Sequence, residues 1–444
     1  MISFLIIVFG LFMILLGRLM LKNWFNHLIL YSFIWTLVLG LYSLRLLKYR
    51  PIITEAWIFI FAAWIFLYLG TAVVLFINFN KEKRVISTES SDWYNYDVNQ
   101  PKNLIVILKI LIIGLSIISL ISIFSYMFVL LRTFGNIFLA MAQSFLWYHL
   151  RVRGEISQGI PYLTSLILVC CSFAGVYGGI KGRITLLSTI PLILAIIYSL
   201  ISMGRAAILI AITLYITAYL QSYRYFNKAQ IKNKVRYWLV PLLLVITLAM
   251  FGAEQVRSFR RITESYKKYG ESKSMKILRN TPFLTPSVYF YLSGEPVVLS
   301  EYLQKDREHV IPGWYTFAPI YRILAKLGLV KKPPYVQPFY LTPVPMNTGT
   351  YLREIHADFG VWGIILIPFI LGFICTSLFL NRTFRLTNMI IIAHLYVYIV
   401  MTFICNAFGL GNWLISFIVS LISARIIEIK YLFPNRNLIV KDKI

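Results

Sequence analysis

Acidic residues are scarce in this chain: 17 Asp and Glu stand against 43 Lys and Arg in 444 residues, a formal charge of +26. They form no cluster of the kind that holds a divalent cation against a phosphate. The five histidines are scattered, and the four cysteines, Cys170, Cys171, Cys375 and Cys405, lie within or at the ends of apolar runs. Neither a disulfide framework nor a Cys/His metal site is written in that spacing. Charge of either sign makes up only 14% of the chain and hydrophobic residues 59%, which excludes an ordinary soluble domain.

What the chain has instead is a series of apolar runs. Because lipid cannot hydrogen-bond a backbone, such runs must be helices. Spans are expected near 3–17, 24–42, 56–79, 104–130, 160–180, 184–202, 206–220, 237–252, 359–380, 388–406 and 411–427, about eleven in all. The 104–130 run is long enough to tilt or break, and 184–220 reads either as a hairpin or as one kinked helix. The first run has nothing basic before it and Arg18 and Lys22 after it, the pattern of a retained anchor with its amino end outside. The fold class is therefore all-α and polytopic. Its parts are an N-terminal bundle of about eight helices (1–251), one large polar loop (252–358), and about three further helices with a basic tail (359–444).

Orientation follows from the basic short loops QSYRYFNKAQIKNKVR from Gln221 and NRTFR from Asn381, and from the tail after Arg425. These mark the cytoplasmic side and put the large loop outside. Under that orientation the outward face is also net basic, including Arg45, Lys48, Arg50 and Arg205, against the usual insertion bias. Outward cations suit an anionic ligand; for the long loop alone, the plainer reading is that long loops translocate regardless of charge.

Arg205 follows Gly204 in the turn SLISMGRAAILIAI, at the edge of the hydrocarbon, where a charge is costly. It is either a snorkelling side chain or a fixed cation for a phosphate oxygen. The loop opens with GAEQVRSFRRITESYKK from Gly252, in which Val256, Phe259 and Ile262 recur three apart and Arg257 and Arg261 four apart. Both spacings fit an amphipathic helix. Arg257, Arg260 and Arg261 then project beside its apolar face, to bind a diphosphate with their planar forks or to grip anionic lipid. Aromatics crowd the rest of the loop; Tyr291, Trp314, Tyr315 and Tyr351 are the candidates for stacking on sugar, with an interfacial belt or a small core as the alternative. A nucleic-acid partner is not expected on a face outside the cell.

The segments PSVYFYLSGEPVVLSEYL from Pro286, IPGWYTFAPIYRILAKLG from Ile311 and MNTGTYLREIHADFGVWGIILIPFILGFI from Met346, with GRAAILIAI around Arg205, resemble the bacterial oligosaccharide repeat-unit polymerases of the Wzy type. The resemblance implies a plasma-membrane protein of GT-C-like architecture that needs no metal or other cofactor. It also implies transfer of a growing glycan from undecaprenyl diphosphate to a new lipid-linked repeat on the outer leaflet, with membrane lipid and a chain-length regulator as further partners. The related O-antigen ligases carry a His-headed motif ending in Gly-x-x-Gly. Here Gly360 and Gly363 fit its end, but Gly349 and Thr350 stand at its head. The missing histidine favours polymerase over ligase; a flippase for the same lipid-linked repeat is the rival from another class.

The chemistry asks for cations at the departing diphosphate and a carboxylate at the acceptor hydroxyl. Arg205, Arg257, Arg260, Arg261 and Arg353 are the expected diphosphate ligands. Asp358, Glu295, Glu254 and Glu354 are the expected carboxylates. Asp358, at a helix entry, suits a backbone cap equally well.

Overall fold

The computed structural model describes residues 2–85, 101–136, 139–140, 143, 146–147, 150, 155, 159–160, 162–202, 204–226, 272–273, 286–307, 310–334, 337–342, 345–381 and 385–432. The apolar runs form helices α1 (Ile2–Leu21), α2 (His27–Ser43), α3 (Thr54–Val85), α4 (Pro101–Phe134), α5 (Ser165–Lys181), α6 (Leu186–Ser202) and α7 (Arg205–Phe226). Three short helices follow, α8 (Pro286–Ser293), α9 (Glu295–Lys305) and α10 (Ala318–Lys326). A two-residue ribbon, β1 (Tyr340–Leu341) with β2 (Pro345–Met346), comes next, then α11 (Thr350–Leu380), α12 (Leu386–Met401) and α13 (Gly411–Ile427). The expected span at 237–252 lies outside the described residues.

Among the described residues five helices are long and apolar enough to cross a membrane, Thr54–Phe79, Lys102–Phe134, Ala206–Phe226, Thr350–Leu380 and Gly411–Lys430. Five shorter apolar helices accompany them. Their outward faces are as apolar as their inward ones: Phe76, Ile110, Phe124 and Phe128 are each more than 60% exposed. A helix surface that is greasy toward the outside is stable in lipid and not in water, and marks a membrane protein.

Small residues set the packing. A Cβ on Gly70 of α3 would fall 2.0 Å from the Phe369 carbonyl oxygen, and one on Gly372 of α11 would fall 2.0 Å from that of Leu67. The two backbones approach closely only because both positions are glycine, the usual device where lipid supplies no hydrophobic drive between helices. Beside this contact, His27 Nε2 is 3.1 Å from both Thr71 and Thr376 hydroxyls, tying α2, α3 and α11. The 184–220 stretch is a hairpin: Tyr215 of α7 donates to Ser188 near the start of α6 at 3.1 Å, and the Ser199 hydroxyl closes the turn on the Gly204 carbonyl. The long α4 runs unbroken.

The loop helices sit on one end of the bundle. Tyr289 of α8 donates to the Leu41 carbonyl at 2.8 Å and accepts from Leu46 N at 3.0 Å, while Tyr49 bonds Ser293 at 2.6 Å. Arg50 meets both oxygens of the buried Glu301 at 3.0–3.1 Å, and Ile53 N donates to Ser300 at 3.1 Å. The connection 44–53 and the polar loop therefore share a face. Arg224, Phe379 and Arg385 lie at the other end, where α7 and α11 finish and α12 begins.

The last bundle segment begins earlier than the apolar run suggests. Helix α11 starts at Thr350 rather than 359 and is broken once, at Gly360, with φ 60° and ψ −150°. That backbone region is open to glycine almost alone. The break turns 350–359 into a polar half that belongs to the loop end and leaves 361–380 as the apolar half.

Candidate functional site

The polar half of α11 presents Arg353, Glu354 and Asp358 where the loop meets the bundle. One Glu354 oxygen accepts from Gln337 Nε2 and the other from Asn406 N, both at 2.6 Å. Asn406 belongs to the break between α12 and α13, where its side chain caps Phe408 N at 3.2 Å and donates to Thr316 Oγ1 at 2.9 Å. Thr316 N in turn donates to Asp358 Oδ2 at 2.6 Å, and Tyr315 N to Asp358 Oδ1 at 2.9 Å. This chain of bonds joins 316, 337, 354, 358 and 406, so that the loop and two helix ends are fixed by one polar network. Low local dielectric makes such networks strong when every member is satisfied.

The three described carboxylates among the expected four hold different places. Asp358 is buried inside α11, and both its oxygens are bonded to backbone N–H groups of the 315–316 turn ahead of α10, a tie between two segments rather than a cap on its own helix. Glu295 is fully buried at the start of α9: one oxygen accepts from Thr348 at 2.9 Å and the other has no partner. Burial pushes its carboxyl well above the ordinary range, with Thr348 and Arg353 pulling it down and Glu354 pushing it up. Glu354 alone of the three is only half buried. Glu254 lies outside the described residues.

Arg353 corrects an expectation. Rather than standing free for a diphosphate, it is buried under the ribbon, donating to Asn347 O at 2.9 Å and Pro338 O at 3.4 Å. Its guanidinium carbon lies 4.8 Å from the Tyr340 ring centroid. It is a positioning residue for 338–347. Tyr351 is corrected likewise: fully buried, it shares a 3.1 Å hydrogen bond with Tyr31 and packs against Trp35 and Tyr398, so no sugar ring reaches it. Tyr291, Trp314 and Tyr315 are half-buried in the loop layer, with Trp314 packed on Tyr321 at 5.3 Å. Arg205 opens α7; its side chain, like Arg257, Arg260 and Arg261, lies outside the described residues. Arg45 and Lys48 are exposed at the loop end.

A cavity of about 840 Å³, open to the outside along its α11 wall, descends from this network. Thr316, Asp358 and Tyr398 line its polar end beside Phe408, and below the Gly360 break its wall is Trp362, Leu366, Ile370 and Ile374. These four recur at every fourth position, one face of a helix, and reach roughly 18 Å at 1.5 Å per residue. Among the described residues no three His, Cys, Asp or Glu side chains converge as a metal site would require. Thr316, Gln337 and Asn406 carry no sequence signal of their own, except that Asn406 stands in CNAFGLGN, a polar, glycine-rich interruption between apolar runs.

The chain was compared with known proteins in three ways: no family model matches it, and neither a curated protein nor a solved structure does.

Proposed function

We propose that the protein polymerises lipid-linked oligosaccharide repeat units at the outer leaflet of a bacterial plasma membrane. The growing glycan moves from undecaprenyl diphosphate to the non-reducing end of a newly delivered lipid-linked repeat. The observation that carries this reading is the cavity: apolar along the membrane-depth half of α11 and polar where it meets Asp358 and Thr316. That gradient suits an amphiphile with a long hydrocarbon chain and a polar head held at the loop layer. The loop segments that resemble repeat-unit polymerases form that layer.

In the proposed reaction the anomeric C–O bond to the diphosphate breaks as the acceptor oxygen bonds to the same carbon. The acceptor's proton passes to a carboxylate, and the diphosphate leaves with the electron pair. Glu354 is the assigned proton acceptor because it is the half-buried carboxylate; its two oxygens, like those of the buried Asp358, each accept one hydrogen bond. Arg205, Arg257, Arg260 and Arg261 are assigned to the diphosphate, where fixed cations stabilise developing charge. Glu295 and Arg353 hold the loop in place.

The test is mass spectrometry of undecaprenyl-linked glycans from a strain lacking the gene, with leaflet exposure read by an impermeant label. Single repeats on the outer leaflet support the polymerase. Long lipid-linked chains would replace it with a ligase, and single repeats confined to the inner leaflet with a flippase.

A further inference from the structure

The end of the bundle away from the loop holds a second, smaller cavity of about 120 Å³, far above the ~10–15 Å³ that one water needs. The last two turns of α7 line it with Gln221 and Arg224, the end of α11 with Phe379, and the N-cap and first turn of α12 with Arg385 and Asn388. Its polar chemistry is lopsided. Arg224 lies with its guanidinium carbon 4.4 Å above the Phe379 ring, which fixes the plane of its fork. Gln221 Nε2 and Asn388 Nδ2 are buried without a hydrogen-bond partner. Among the described residues lining the cavity there is no carboxylate. Glu428, beside the start of α12, has its oxygens engaged by Thr387 at 2.7–2.8 Å and by Arg425 at 3.4 Å.

We infer that this cavity binds a phosphate-class anion, the phosphodiester of an anionic lipid headgroup or free phosphate, through Arg224, Arg385, Gln221 and Asn388. Two guanidiniums and two amides converging on one space form a set of donors that an anion satisfies at once. The amino end of α12 adds its favourable dipole. Arg224 in the last turn of α7 is partly explained by that helix's own dipole, but the two buried amides are not. The inference is independent of the proposed polymerase activity, since it concerns the opposite face of the bundle.

The experiment is native mass spectrometry of the full chain in detergent, titrated with phosphatidylglycerol, phosphatidylcholine or inorganic phosphate, for wild type, Arg224→Gln, Asn388→Ala and Arg183→Gln. Arg183 is exposed and outside the cavity, so its variant removes one charge without touching the site. Preferential binding of phosphatidylglycerol, weakened about tenfold or more by Arg224→Gln and measurably by Asn388→Ala, but not by Arg183→Gln, is the expected result. Competition by inorganic phosphate would identify a free-anion site; its absence, a lipid site. Asn388→Ala removes an unpaired amide without disturbing a bonded one, so it keeps the test open if Arg224→Gln does not fold. Equal weakening by all three substitutions, or anion binding unchanged in both cavity variants, would overturn the inference.

Discussion

A polar network at one end of this bundle and a cavity at the other treat their polar groups in opposite ways. At the loop end Glu354, Asp358, Asn406, Thr316 and Gln337 satisfy one another and the backbone, so carboxylates and donors are matched. At the other end two arginines and two amides face a cavity without a carboxylate among the described residues lining it. A matched network fixes geometry, as a reaction centre requires. An unmatched set of donors awaits a counter-charge, as a binding site does. Under the proposed function the loop end is the reacting end, and the other end a place of attachment.

Substitutions sharpen that contrast, beginning with the largest effect. Arg205→Ala and Arg257→Ala each reduce chain growth by about 10³-fold at unchanged membrane level, with partial rescue by Lys, scored as glycan length in complemented cells. Normal polymerisation by both would remove the diphosphate assignment. Glu354→Gln, which keeps an oxygen for Asn406 N, lowers the rate roughly 10²-fold while leaving thermal stability near wild type. A stability loss that parallels the rate loss would make Glu354 a structural clamp instead.

Asp358→Ala leaves two buried-turn N–H groups without an acceptor and costs about 3 kcal/mol of stability, read by denaturation in detergent; Asp358→Asn recovers part of it. The smallest effect concerns Glu295. Its folded-state carboxyl holds its proton to a pH well above the ordinary 4.5. Its contribution is therefore fully present below that value and is lost as pH rises toward the folded one. Glu295→Gln flattens the fall of Tm with rising pH, and parallel pH curves for wild type and variant would contradict the assignment.

The helices were legible because lipid leaves an apolar run no other structure, and the loop end was legible as the polar interruption it is. The start of α11 was not. Hydropathy stops at 359 because TYLREIHAD is polar, yet the helix continues to Thr350 because Arg353, Glu354 and Asp358 find partners from elsewhere in the chain. The same long range hid the network: Asn406 and Thr316 are 90 residues apart, and no local period joins them. Arg353 and Tyr351 read as ligands from their residue types alone; burial beneath the ribbon and within the aromatic core gives them structural work instead.

The most direct measurement is complementation of the deletion strain with Glu354→Gln and, separately, with the Arg224→Gln, Arg385→Gln pair, comparing undecaprenyl-linked glycan length at equal protein level. Single repeats on the outer leaflet are expected with the first and long chains with the second. Long chains with Glu354→Gln and single repeats with the arginine pair would place the chemistry at the wrong end of the molecule and contradict the proposal.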